Sequence, residues 1–117
     1  MKQIIEMLKT WGADINGAMG RFLDDEDFYV DCLHRFMSDA NVSMLKKAVD
    51  ASDRGNIFEA SHSLKGTTGT LGLVPLYDKV SILVEDSRSE LKDTVKQDYE
   101  AFDSVYQEFV KMVRSAA

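Results

Sequence analysis

His62 is the side chain in this sequence best placed to do chemistry. It opens the run His62-Ser63-Leu64-Lys65-Gly66-Thr67-Thr68-Gly69-Thr70-Leu71-Gly72-Leu73. That run puts an ionisable imidazole on a helix and strips bulk from the surface around it. At ~100° per residue, Gly66 lies at about +40° from His62, Gly69 at about −20° and Lys65 at about −60°. Ile57, Ala60, Leu64 and Leu71 fall on the opposite side and face a core. Imidazole has an unperturbed pKa of about 6.5, which leaves a neutral nucleophilic nitrogen near pH 7. A phosphoryl group on that nitrogen would be anionic. Lys65, one turn away, offsets such a charge by at most about 1 kcal/mol when exposed. Glycines inside a helix cost roughly 1 kcal/mol each against alanine. Gly66 and Gly69 beside an exposed histidine therefore imply that something approaches the backbone closely.

Other chemistry-bearing residues read more plainly. Asp24-Asp25-Glu26-Asp27 is an acidic run, but acids at the start of a helix cap it and complement its dipole. The six methionines fall mostly at inward helical positions, as gap-fillers. Cys32 lies between Phe28 and Phe36 and reads as a core residue. His34 has no second histidine or cysteine at metal-ligand spacing, so no metal site is expected. Ser61, Ser63, Thr67, Thr68 and Thr70 lack the base and acid that would activate a hydroxyl nucleophile. Gly66, Gly69 and Gly72 follow no strand and so do not make a phosphate-cradling loop.

The elements that must hold His62 are helices throughout. The chain has 117 residues, a net charge of −6, one cysteine and one proline. One domain, residues 1–117, is expected. The negative charge excludes nucleic acid and anionic membrane as default partners. No apolar run approaches the ~20 residues that span a bilayer. The N-terminus shows no secretory signal, and a single cysteine suits a reducing setting, so a cytoplasmic location is expected. The spacing predicts a short helix over about 1–10, ended by Gly12, and a second capped by Asp14 through Ile15, Met19 and Phe22. A third runs from Asp24–Asp27 to about Asp39, with Phe28, Cys32, Leu33, Phe36 and Met37 inward. Asn41 caps a fourth, with Met44, Leu45, Ala48 and Val49 inward. Asp53–Asn56 is a turn, and the histidine helix runs from about Asn56 to Leu71 with Gly72 just beyond its end. Pro75 opens the next helix, built on Leu76, Val80, Leu83 and Val84. The last starts near Glu90 and carries Leu91, Val95, Tyr99, Phe102, Tyr106, Phe109 and Val113. Short connections make neighbours antiparallel. The expected fold is an all-α, up-down antiparallel four-helix bundle over 23–115, with additional short N-terminal helices over 1–22.

The histidine run resembles the signature of histidine-containing phosphotransfer (HPt) domains, His-x-Leu-Lys-Gly-(x)5-Gly. His62, Leu64, Lys65, Gly66 and Gly72 stand at the matching positions, and the small residues Ala60-Ser61 precede them. The resemblance extends over about Phe22 to Val113. It implies a phosphorelay carrier in two-component signalling, with His62 as phosphoacceptor and Lys65 as charge partner of the phosphoryl group. Partners would be response-regulator receiver domains and a hybrid histidine kinase, with Mg²⁺ on the receiver and no cofactor on this chain. No autonomous kinase or ATPase activity is expected, because no nucleotide pocket is present. A monomer is expected. The docking surface would include Gly66, Gly69, Glu59 at about +60° from His62 and Phe58 at about −40°. Phe58 could equally fill a groove between helices. Two other readings remain at this point: a phosphorylatable piece of a larger chemotaxis-type or hybrid histidine kinase, and a helical module that binds or inhibits without carrying phosphate.

Overall fold

Short polar side chains start four of the helices. A computed structural model of the chain describes residues 1–116, which form seven α-helices and no strands. They are α1 (Gln3–Trp11), α2 (Ile15–Arg21), α3 (Glu26–Met37), α4 (Ala40–Asp50), α5 (Arg54–Thr70), α6 (Val74–Asp86) and α7 (Val95–Ser115). Each of Asp14, Asp25, Asp39 and Asp53 turns a carboxylate onto a first-turn N–H of α2, α3, α4 and α5 respectively. The cap of α4 is therefore Asp39, not Asn41. Asp39 Oδ1 accepts from the Asn41 N–H at 2.8 Å, so Asn41 already lies inside the helix. Asp53 likewise starts α5 at Arg54, two residues before the expected turn ends.

The packing forms a closed ring. α4 lies against α5 and α7, and α6 against α5 and α7. The α4–α5 and α5–α6 links are only three residues each, which makes those neighbours antiparallel. Inside the ring sit Leu45 and Val49, Ile57 and Leu64, Leu76, Val80 and Leu83, and Phe102 and Phe109. Burying each of these side chains contributes about 1.5–3 kcal/mol. α3 packs on α7 through Phe36, whose ring meets Phe109 edge-on at 5.5 Å and Tyr106 at 6.0 Å. α1 and α2 add Ile4, Ile5, Leu8, Ile15 and Ala18 to the same core. Among the described residues, no helix is long and apolar enough to cross a membrane.

Several expected details shift. Tyr29, not Phe28, is the inward aromatic of α3: Tyr29 is fully buried and Phe28 is 49% exposed. A buried tyrosine needs a partner for its hydroxyl, and Tyr29 finds the Leu71 carbonyl at 2.7 Å. Cys32 and Met37 are only half-buried, and Met44 is exposed on the outer side of α4. α7 begins at Val95 rather than near Glu90. The Ser87 hydroxyl donates to the Leu83 carbonyl at the end of α6, and the Lys92 N–H closes a turn onto the Asp86 carbonyl at 2.9 Å. Leu91 thus reaches the core from a loop. At the α6–α7 junction Asp86 is buried beside Asp98, and its Oδ2 has no hydrogen-bond partner.

Candidate functional site

α5 is a helix with two unlike faces. Its inward side buries Ile57, Ala60 and Leu64 together with the small hydroxyls Ser61 and Thr68. Those hydroxyls cost little to bury, because each donates to a carbonyl of its own helix: Ser61 to Ile57 at 2.6 Å, Thr68 to Lys65 at 3.2 Å. The outward side exposes Glu59, His62, Ser63 and Gly66. His62 is therefore on the solvent face.

The His62 ring has a defined neighbour. It stacks on Phe58, one turn earlier, with centroids 5.6 Å apart and planes 13° apart. On Phe58 also lies the Arg88 guanidinium, 5.7 Å from the ring centre. Phe58 is half-buried between an imidazole and a cation and serves as the platform of the His62 ring. Arg88 is itself fixed by a bidentate ion pair with Glu85 at 2.7 Å. That guanidinium holds the exposed Glu85 carboxyl below its usual range.

A shallow depression of about 480 Å³ opens beside His62, lined also by Arg21, Lys65, Gly66, Gly69, Thr70, Tyr77 and Arg88. Lys65 lays its ammonium over Tyr77, with Nζ 5.7 Å from the ring centre. Arg21 reaches in from α2 and donates to the carbonyls of Gly69 and Thr70 at 3.1 and 2.9 Å. Three cations thus gather at one spot of a chain whose net charge is −6. An anion arriving there meets a locally favourable field.

The two glycines differ. A Cβ built on Gly66 would meet nothing within 4 Å, so the space beside His62 is open. A Cβ on Gly69 would come within 3.3 Å of Tyr77 Cε2. Gly69 thus makes room for the Tyr77 ring as well as for anything outside. Gly66 also borders a second hollow, between α3 and α5, lined by Phe22, Cys32, Arg35 and Phe36. Glu59 is exposed but does not line the His62 depression. His34 is exposed on α3. The sequence reading missed Arg21, Tyr77 and Arg88. Arg21 comes from α2, Tyr77 from α6 and Arg88 from just past the end of α6; none carries a local motif, and only the folded chain brings them to the His62 hollow.

The profile of the Hpt domain matches residues 31–105, most of the chain, and the chain belongs to the Hpt domain family. Hpt domains are helical bundles that act as phosphocarriers in two-component signalling, through receiver domains and kinases, rather than as enzymes. No curated protein and no solved structure matches the chain.

Proposed function

We propose that this chain is a phosphorelay carrier in which His62 accepts a phosphoryl group from a receiver-domain aspartate and hands it to a second receiver. One observation carries the reading. His62, the histidine of the motif that resembles the family's signature, stands exposed on the outer face of α5, its ring set on Phe58, in a hollow edged by Arg21, Lys65 and Arg88. The unprotonated Nε2 of His62 attacks phosphorus in line. The new N–P bond forms as the acyl-phosphate O–P bond breaks, and the aspartate leaves as carboxylate. Running the same step backwards delivers the group to the next receiver. Mg²⁺ in this chemistry belongs to the receiver, and this chain needs no cofactor of its own.

This chain's residues position and attract. Phe58 restricts the imidazole to a stacked orientation, which reduces the orientational entropy lost on reaching the reactive geometry. Gly66 leaves a gap through which a partner's loops come near the nitrogen. Lys65 and Arg88 favour the anionic product. The partners are receivers, one of them expected in a hybrid histidine kinase; the carrier acts as a monomer in the cytoplasm and has no ATPase activity. Incubation with a panel of radiolabelled phospho-receivers tests this. The expected result is acid-labile, base-stable label on His62 that a second receiver can remove. No transfer from any receiver, or label on His34, overturns the reading.

A further inference from the structure

The half of α5 that follows His62 is intrinsically poor helix. Gly66-Thr67-Thr68-Gly69-Thr70 contains no strong helix former. The helix also ends there, so its last carbonyls have no partner within it. Donors arrive from the N-terminal part of the chain instead. Arg21 Nη2 and Nε donate to the Gly69 and Thr70 carbonyls, and the Tyr29 hydroxyl to the Leu71 carbonyl. The Asp14 N–H donates to the Gly72 carbonyl at 2.8 Å. All four consecutive carbonyls of Gly69, Thr70, Leu71 and Gly72 thus accept from residues that precede the segment 31–105 matched by the Hpt profile; those of Gly69 and Gly72 also accept from the Gly72 and Val74 N–H groups, whereas those of Thr70 and Leu71 rely on the N-terminal donors. The clamp is an addition to the matched part of the bundle.

Of the three donors, Arg21 is the one that also lines the depression of His62. Its planar fork spans two carbonyls at once, which an ammonium cannot do. We propose that Arg21 is a positioning residue for His62. Its guanidinium holds the glycine- and threonine-rich end of α5 helical, and thereby keeps Gly66, Lys65 and the imidazole in the arrangement that phosphotransfer uses. The proposal rests on the reading of His62 as phosphoacceptor.

Hydrogen exchange on the unphosphorylated protein isolates the clamp. In Arg21→Ala and in Arg21→Lys, amides 66–72 exchange about tenfold faster than in the parent, while those of α6 and α7 keep their protection. The same proteins are then given radiolabelled phospho-receiver. Both variants lower the maximal labelling rate about tenfold and leave KM near the parent value, because the loss is in alignment and not in docking. Lysine keeps the charge, so its failure to rescue separates the fork from a simple surface cation. If Arg21→Ala unfolds, Arg21→Lys carries the comparison alone. Parent-like exchange over 66–72, or full rescue of the rate by lysine, overturns the proposal. If the parent itself takes no label on His62, the phosphoacceptor reading fails and the positioning role falls with it. Faster exchange in the variants then shows a purely structural clamp.

Discussion

The His62 depression and the α6–α7 junction both gather charge, and they are built on opposite terms. At His62 the charges are cationic and reach solvent: Arg21, Lys65 and Arg88 edge an open hollow. At the junction the charges are acidic, with Asp86 enclosed and Asp98 half-buried. Asp86 is 7% exposed, sits at the C-terminal end of α6 and faces the carboxyl of Asp98, with Lys92 as the cation nearby. Burial, then the neighbouring carboxyl of Asp98, push the Asp86 carboxyl up to about 7, against a relief from Lys92. A helix C-terminus also disfavours an anion. Strongly shifted acids often mark reactive sites. Here the shifted acid belongs to the fold, and the proposed reactive group is marked by exposure, small neighbours and cations. An outgoing and incoming phosphoryl group needs access and a matching field, neither of which a closed carboxyl pair offers.

The largest expected effect breaks the comparison at its first member. His62→Gln should abolish acquisition of label from a phospho-receiver. It should change stability by no more than about 1 kcal/mol, since an exposed ring is removed and only its stacking on Phe58 is lost. Urea unfolding and label transfer on the same preparations check both halves. Retained acid-labile label would remove His62 from the chemistry.

The second effect lies at the other member and is one of stability. Folded Asp86 holds its proton up to about pH 7, whereas the unfolded chain releases it near 3.8. Between those values the folded state binds more protons, so raising the pH favours unfolding. Asp86→Asn removes that dependence, and its amide can donate to Asp98. At pH 8 the variant should be more stable than the parent by as much as about 4 kcal/mol, with little difference at pH 4. Phosphotransfer should be unchanged. Parallel pH–stability curves for parent and variant would show that Asp86 is not the group responsible.

The third effect tests the openness of the His62 side. Gly66→Ala should be neutral or stabilising by up to about 1 kcal/mol, because the added Cβ meets empty space inside a helix. Gly66→Gln should keep the helix and slow transfer by about tenfold, by filling the approach to the imidazole. Gly69→Ala provides the contrast: its Cβ would press on the exposed Tyr77 ring, which must give by a few tenths of an ångström, so the variant should gain less stability than Gly66→Ala. A Gly66→Gln protein that transfers like the parent would show that the gap is not used.

The sequence was informative wherever a local rule acts alone. The α5 stripe of Ile57, Ala60 and Leu64 and the inward residues of α6 follow directly from a 3.6-residue period. Gly72, at φ +71°, is the left-handed residue just past α5, as its position after the last periodic residue implied. Choices between neighbours were harder. Asp39 and Asn41 are both good caps, and which one acts depends on where α3 stops. Phe28 and Tyr29 are both aromatic, and the choice was made by the Leu71 carbonyl forty-two residues away, which rewards a hydroxyl. The long-range part of the site had no local signal at all. Arg21 and Arg88 look like ordinary surface cations until α2 and α6 are folded against α5.

The smallest expected effect concerns Lys65 and sharpens what the cations do. Its ammonium lies over the Tyr77 ring, so it is held near the hollow and yet stays partly in solvent. A phosphoryl group on His62 would draw it away from the ring, at a cost of about 0.5–1 kcal/mol in lost cation–π attraction. That cost offsets much of what an exposed charge pair supplies, about 0.2–1 kcal/mol. Arg21 and Arg88 remain in place when Lys65 is removed, so the field at the hollow falls only in part. Lys65→Ala should therefore leave circular dichroism unchanged and lower the transfer rate, or shorten the phosphohistidine lifetime, by no more than about fivefold. The deficit should shrink as salt is raised, because exposed charges are screened over about 8 Å at physiological ionic strength. Parent-like transfer and lifetime at low salt would make the charge incidental. A loss of several orders of magnitude would place Lys65 in the transition state itself, and the contrast between a screened rim and a closed carboxyl pair would no longer describe this molecule.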